Sequence, residues 1–407
     1  MTGDMENCRK AWLTVVGIGE DGLSQEARRL VEQAELLIGG RRHLALVPEG
    51  GEKRLEWASP IARTLPEIEA WRGRRVVVLA SGDPMCYGVG AMLSRHFDTA
   101  EMTILPSPGA FSLAAARMVW PLESCRVLTL HGRPLANLRR ELFPGARLLI
   151  LSENGRTPAQ VAALLTQEGW GESAVTVFEH MGGPKERRLE GQASLWVADI
   201  CADLNTIAVE CRAGPAANPL SAVPGLADAS FDHDGQLTKR EIRAATLAAL
   251  APLPGQLLWD VGAGCGSIAI EWLRAAPWTE AIAIERAAER CALIARNAEM
   301  LGVPALRIVE GEVPAALDGL PAPDALFLGG GVSAPGLLDH LFELLPPGGR
   351  LVANAVTLES EAALFDWRSK RGGALTRLEV ARAEEVGRYL AWKPLRPVTQ
   401  LLAVKPR

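Results

Sequence analysis

The segment Asp260-Val261-Gly262-Ala263-Gly264-Cys265-Gly266, entered from the apolar run Leu257-Leu258-Trp259, constrains the fold more than any other. A short buried strand that feeds a glycine-rich turn lets backbone approach a ligand where any Cβ would clash. Glu285 stands nineteen residues after Gly266, at the end of the run Ala281-Ile282-Ala283-Ile284. An acid at the tip of the next strand is placed to accept both hydroxyls of a ribose. The pattern therefore predicts an α/β sheet holding an adenosine-containing cofactor. Three glycines as G-x-G-x-G suit S-adenosylmethionine, which has no pyrophosphate; the dinucleotide pattern is G-x-G-x-x-G.

At 407 residues with 48% apolar content, the chain has room for two domains with real cores. A net charge of −5 argues against nucleic acid or an anionic membrane as the main partner. The seven cysteines are scattered without C-x-x-C or zinc spacing, so no metal site is expected, and their odd number fits a reducing cytoplasm. Met1–Lys10 has no apolar signal core, and no run approaches the roughly 18 apolar residues of a membrane span. The expectation is a cytoplasmic chain with no membrane partner.

Residues 213–234, rich in Pro, Gly, Ala and Ser, read as a linker between domains at 1–212 and 235–407. In the second half, strands are expected at Leu257–Val261, Ala281–Ile284, Leu306–Val309, Ala325–Leu328 and Arg350–Asn354, with a helix at Arg286–Met300. Leu378–Ala383 and Thr399–Lys405 lack a helix between them and read as an antiparallel pair at the sheet edge, which gives a Rossmann-like, seven-stranded class I methyltransferase plan. In the first half, strands are expected at Trp12–Val16, Val76–Ala80, Thr103–Leu105, Val127–Leu130, Leu148–Leu151, Ala174–Phe178 and Thr206–Glu210. Helices should start at Ser59-Pro60 and at Thr157-Pro158-Ala159-Gln160, a capping box.

The carboxyl ends of parallel strands are where ligands bind in such sheets. Candidate cofactor contacts in the second half are therefore Gly262, Ala263, Gly264, Cys265, Gly266 and Glu285, then Glu312 and Val313 after the third strand for the adenine edge, and Gly329 in the tip Gly329-Gly330-Gly331. Thr238 fits either a capping box with Glu241 or a hydroxyl touching the methionine end of the cofactor. No Asn/Asp-Pro-Pro-Tyr tip, metal constellation or Ser–His–Asp arrangement stands out, and no catalytic residue is assigned. Displacement at a sulfonium methyl needs in-line positioning and an electron-rich nucleophile, which points to an activated carbon, as in an enamine or pyrrole.

Gly17-Ile18-Gly19-Glu20-Asp21-Gly22 matches G-x-G-x-x-G by letters, but Gly39-Gly40-Arg41-Arg42-His43 stands where a dinucleotide site needs an acid. The stronger signals are Ser81-Gly82-Asp83-Pro84 and Pro108-Gly109-Ala110-Phe111-Ser112. Together with Thr157-Pro158 and Phe178–Arg187, these motifs resemble the tetrapyrrole (corrin and sirohaem) methylases over roughly residues 11–212. The resemblance implies a two-lobe α/β domain, with lobes near 11–115 and 116–212, and a second S-adenosylmethionine site. Its contacts would come from Gly19, Gly82, Asp83, Pro84, Phe111 and Ser112.

Gln236–Glu241, Asp260–Gly266 and Pro346–Arg350 resemble the decarboxylating corrin methyltransferases. The paired modules imply one S-adenosylmethionine site per domain. They also imply a precorrin substrate, precorrin-6Y, methylated at ring carbons 5 and 15 with loss of carbon dioxide from the carbon-12 acetate, giving precorrin-8. The second module would perform the carbon-15 methylation and decarboxylation, and the first the carbon-5 methylation. Both component families imply a homo-oligomer. Cys265 stands where Thr or Ser is usual, Glu312 where Asp is usual, and Phe111-Ser112 where a Ser/Thr-Ser/Ala pair is usual. Arg41-Arg42, Arg133, Arg139-Arg140 and Arg187-Arg188 are candidates for binding substrate carboxylates.

The sequence admits three rival readings. The G-x-G-x-G spacing disfavours a nicotinamide-dependent reductase. Net charge and only two tyrosines disfavour an RNA methyltransferase. A non-catalytic nucleotide sensor is the third.

Overall fold

The computed structural model describes residues 11–197 and 200–407, so the stretch Met1–Lys10 lies outside the described residues. The chain forms two compact units: Met1–Leu135 with Phe143–Asn218, and Ala136–Leu142 with Pro219–Arg407.

The first unit contains two sheets. One runs β3-β2-β4-β1-β5, from β1 (Leu13–Ile18), β2 (Leu36–Gly39), β3 (Lys53–Glu56), β4 (Val76–Ser81) and β5 (Met102–Leu105). All its pairings are parallel. In β1 and β4 the apolar residues face both ways, as a parallel sheet covered on both sides requires; Leu13, Val15, Val16, Val76 and Val78 are fully buried. The other sheet runs β6-β7-β10-β8-β9, from β6 (Cys125–Thr129), β7 (Arg147–Leu151), β8 (Ala174–Glu179), β9 (Arg187–Gln192) and β10 (Asn205–Glu210). Only β6 and β7 pair in parallel.

Three of these strands escaped the sequence reading. β2 is only four residues long, β3 begins and ends with charged residues, and β9 is a charged edge. The helix Thr157–Gln167 starts where expected with proline in its first turn, but not through a capping box. Thr157 lies inside the helix, and its Oγ1 accepts from the amides of Glu153 and Asn154, both at 3.1 Å, closing the preceding turn. Ser59-Pro60 leads into a 3-10 turn, Ile61–Thr64, and then the short helix Leu65–Glu69.

The second unit is built on a seven-stranded sheet, ordered β13-β12-β11-β14-β15-β19-β16. Its members are β11 (Leu257–Val261), β12 (Glu280–Glu285), β13 (Arg307–Glu310), β14 (Ala325–Leu328), β15 (Arg350–Ala355), β16 (Ala374–Leu378) and β19 (Val398–Val404). The first five are parallel, and β19 runs antiparallel between β15 and β16. Leu378–Ala383 is not one strand. It straddles the end of β16 and the start of a hairpin, β17 (Ala381–Val386) with β18 (Tyr389–Pro394). Alternation carries β11 through both cores: Leu257, Trp259 and Val261 face Trp367, while Leu258 faces Ile268 and Trp272.

The expected linker is divided between the units. Arg212 N–H donates to Ser173 Oγ at 3.0 Å and Gly214 N–H to the Gly169 carbonyl at 2.9 Å, both within the first unit. From Pro219 onward the chain belongs to the second unit, where Leu226 and Phe231 are buried in its core. The amides of Gly225 and Leu226 donate to the Glu271 carboxylate at 2.6 and 3.0 Å. A proline-rich composition read as a linker conceals these buried backbone bonds. Among the described residues, no helix is long and apolar enough to cross a membrane, and no cluster of His, Cys, Asp and Glu could hold a metal ion.

Candidate cofactor-binding sites

In the second unit, the tips of four adjacent parallel strands are joined by backbone hydrogen bonds. Gly262 and Ala263 N–H donate to the Ile284 carbonyl at 2.9 and 3.1 Å, Gly311 N–H to the Glu285 carbonyl at 3.0 Å, and Gly329 N–H to the Val261 carbonyl at 3.3 Å. This brings together Gly262–Gly266, Glu285, the Glu312-Val313 loop and the Gly329–Gly331 tip. Gly262, Gly264 and Gly266 have φ of 70°, 61° and 80°, the left-handed region that side chains disfavour. A Cβ on Gly264 would meet nothing within 4 Å, so only at this turn position is backbone presented to open space. A Cβ on Gly266 would lie 2.9 Å from Ile294 Cγ2, so that glycine is required for packing the turn on the helix Ala288–Met300.

Glu285 is buried. Its Oε2 accepts from Gly264 N–H at 2.9 Å and its Oε1 from Ala287 N–H at 3.1 Å, so the acid also fastens the turn. A carboxylate has about four lone-pair positions, which leaves capacity for ribose hydroxyls. Glu312 is exposed beside half-buried Val313. Thr238 does not cap a helix: the helix Arg240–Leu250 begins two residues later with no side-chain cap, and the Thr238 carbonyl accepts from Arg243. Cys265 is buried, and its carbonyl accepts from Asn297 Nδ2 at 2.9 Å.

Asp260 opens the glycine motif, and the sequence pattern alone gives it no role. Its Oδ2 accepts from Ala269 N–H at 3.0 Å, whereas Oδ1 is buried with no partner. Burial, reinforced by the charge of Glu285, pushes this carboxyl up to about 7. A buried, unmatched acceptor beside the glycine turn is the signal of a donor-bearing ligand. The arrangement fits an adenosyl cofactor with a charged amino-acid tail.

In the first unit the glycine loops are pressed together. A Cβ on Gly17 would lie 2.0 Å from the Gly82 carbonyl oxygen, and one on Gly82 2.7 Å from Gly109 Cα. Gly82 N–H donates to the Ile18 carbonyl at 3.0 Å, and Ser107 N–H to the Gly82 carbonyl at 3.2 Å. Asp83, Gly109, Phe111 and Ser112 line a cavity of about 560 Å³ with Cys86, Cys125 and Val127. That volume lies within the ordinary range for small-molecule sites, about 300–1,000 Å³. Gly19, Gly82 and Pro84 do not line it: Gly19 pairs with Gly22 in an isolated bridge, Gly82 is pressed against Gly109, and buried Pro84 seats Gly88 and Gly90. A second cavity of about 240 Å³ is lined by Arg133, Glu153, Thr157 and Gln160.

A polar cluster at the same strand ends was not foreseen. Arg42 pairs with Glu20, and its Nη2 reaches Ser81 Oγ at 3.0 Å and His43 Nε2 at 2.8 Å. His43 Nε2 lies 2.9 Å from Ser81 Oγ, and Glu20 Oε2 lies 3.3 Å from His180 Nδ1. Of the arginines expected to meet substrate carboxylates, Arg41, Arg42, Arg139, Arg140, Arg187 and Arg188 are paired with Glu56, Glu20, Glu299, Glu141, Glu179 and Glu190 respectively. Arg133 stacks 5.3 Å from the Tyr87 ring centre and lines the smaller cavity.

Two family models match the chain: tetrapyrrole (corrin/porphyrin) methylases over residues 13–195 and a precorrin methyltransferase domain over residues 229–405. A precorrin-6Y C(5,15)-methyltransferase (decarboxylating) of Sinorhizobium sp is 50% identical over 394 residues, 96% of this chain and 95% of its own. A cobalt-precorrin-7 C(5)-methyltransferase of Salmonella typhimurium is 30% identical over 178 residues, 43% of this chain and 88% of its own. A probable cobalt-precorrin-6B C(15)-methyltransferase (decarboxylating) of Pyrobaculum calidifontis is 35% identical over 184 residues, 44% of this chain and 94% of its own.

Proposed function

We infer a division of labour from one premise: the chain belongs to the family of decarboxylating precorrin-6Y C(5,15)-methyltransferases. It is an S-adenosylmethionine-dependent C-methyltransferase that methylates a precorrin twice and decarboxylates it in cobalamin biosynthesis. In our reading the second unit methylates carbon 15 and releases carbon dioxide from the carbon-12 acetate, and the first unit methylates carbon 5. One observation carries this. Each unit has its own set of glycine loops at the carboxyl ends of a parallel sheet, so each can hold a methyl donor of its own. Relatives that carry the carbon-5 and carbon-15 activities on separate chains support the same division.

The donor, when bound, supplies an electrophilic methyl on a sulfonium. In the second unit the Gly262–Gly266 backbone would admit it, Glu285 would hold the ribose, Glu312 and the Val313 amide would meet the adenine edge, and Asp260 Oδ1 would take a donor of the amino-acid tail. In the first unit Asp83, Gly109, Phe111 and Ser112 would line the second donor site. Cysteines without disulfides among the described residues fit a cytoplasmic enzyme, and the exposed Val386, Tyr389, Leu390 and Trp392 on the β17–β18 hairpin fit a homo-oligomer.

The test is the product of the full chain incubated with precorrin-6Y and S-adenosylmethionine. The unaltered protein should add two methyls and remove one carbon dioxide by mass. Gly264→Val, which puts a branched side chain at φ 61°, should abolish decarboxylation together with one methylation. Replacing Asp83 and Pro84 by alanine should leave a decarboxylated product with one new methyl. A product with both methyls from that double variant would refute the assignment of the first unit.

A further inference from the structure

We propose that His180, oriented by Glu20, accepts the proton that the macrocycle sheds when the first unit methylates it; this rests on the carbon-5 reading above. Methyl transfer to a neutral ring must release a proton. The ring π pair forms the new C–C bond as the S–CH₃ bond breaks, with that bond's pair staying on sulfur. The C–H pair then returns to the ring and the proton leaves to a base.

His180 directly follows β8, and its loop meets Glu20, which follows β1. Its ring Nδ1 is 3.3 Å from Glu20 Oε2, and Glu20 is anchored from its other side by Arg42. A carboxylate only accepts, so Nδ1 carries the hydrogen and the lone pair falls on Nε2. The ring is partly exposed, at 28% of its side chain, and its hydrogen-bond contact runs through Nδ1. His180 holds this position at φ 49°, a left-handed conformation unfavourable for a side chain, and such strain concentrates where function requires a fixed geometry. Gly183 completes the seat: a Cβ there would lie 2.7 Å from Glu20 Cβ.

Two ties connect the His180 loop with the larger cavity. Arg42 bonds Ser81 Oγ at 3.0 Å, and Ser81 continues into the cavity-lining Asp83. Glu186 accepts from Gly182 N–H at 2.7 Å and from Arg117 at 2.7 and 2.8 Å; Arg117 lies on the helix Ala110–Met118 that carries Phe111 and Ser112. The neighbouring His43 is excluded as the base. Arg42 can only donate, so the His43 Nε2 lone pair is already engaged at 2.8 Å, and Nδ1 is buried. Burial and the Arg42 charge also hold His43 down at about 4. The charged groups around His180 are Glu20, Arg42 beyond it, and the adjoining Glu179, itself paired with Arg187.

The test uses the full chain with precorrin-6Y and S-adenosylmethionine, resolving the two methylations by mass. His180→Asn tolerates the left-handed backbone but cannot take the proton, and His180→Gly relieves the strain and leaves space for free imidazole. Both should slow the first-unit methylation about a hundredfold or more, the usual scale of general-base catalysis. S-adenosylmethionine affinity and decarboxylation should hold. Free imidazole should rescue His180→Gly and leave His180→Asn unchanged. Wild-type rates in His180→Asn overturn the proposal, as does a slowed His180→Gly variant that imidazole does not rescue. If the Asp83-Pro84 double variant keeps both methyls, the carbon-5 reading fails whatever His180 does. If it loses one methyl and the His180 variants lose none, only the base assignment fails.

Discussion

Asp260 and Glu285 are two buried carboxyls beside one glycine turn, and they divide its work. Glu285 is satisfied by two amides, whereas Asp260 has one oxygen without a partner. Asp260 titrates near 7 when folded and near 3.8 when unfolded, so the unfolded state gives up this proton first. Its contribution is greatest below the unfolded value and is lost as pH rises through about 7. Asp260→Asn should therefore raise the melting temperature of the second unit more at pH 8 than at pH 5 in the absence of ligand, while weakening S-adenosylmethionine binding. A pH-independent difference in melting temperature would show that this carboxyl is not shifted. Glu285→Ala removes the acceptor for Gly264 and, in the proposed site, for the ribose. Calorimetric titration should show the second unit losing about 1.5–3 kcal/mol of cofactor affinity, with the first unit unchanged.

At the scale of the element, the glycine turn separates support from binding. Gly266→Ala forces a Cβ to within 2.9 Å of Ile294, whereas Gly264→Ala meets open space at φ 61°. Gly264→Ala should cost about 1–2 kcal/mol of backbone strain and act mainly on cofactor affinity. Gly266→Ala should cost more stability in denaturant unfolding, because backbone strain and a clash add. The sequence made this turn legible, since both its glycines and the apolar run before it have local causes. The same holds for the central strands β1, β4, β11 and β14, buried on both faces. The edge strands β3 and β9 and the exposed hairpin were not legible, because their charged or mixed residues carry no core-facing period. The Glu20–Arg42–His43–Ser81–His180 cluster was hidden for another reason. Its members are spread across 160 residues and meet only through the crossovers of two sheets.

For the whole molecule, the consequential question is where one folding unit ends. Composition placed the boundary across residues 213–234, but physical ties put residues 219–234 in the second unit. Buried Glu271 takes two of its hydrogen bonds from Gly225 and Leu226, and fully buried Arg243 donates to Asp228 at 3.2 Å and to the Leu226 carbonyl. Leu226 and Phe231 fill the core against Leu247 and Trp272. Removing this segment exposes apolar surface worth about 1.5–3 kcal/mol per large side chain and leaves buried charges short of partners at about 1–3 kcal/mol each. Several such losses together rival the roughly 5–15 kcal/mol that stabilises a typical domain. A fragment beginning at Pro219 should thus unfold at a substantially higher urea midpoint than one beginning at Gly235, because the sixteen residues between them carry Leu226, Phe231 and the amides that meet Glu271. If both fragments unfold at the same midpoint, the segment is a passive tether and the buried Glu271–Arg243 pair is satisfied without it.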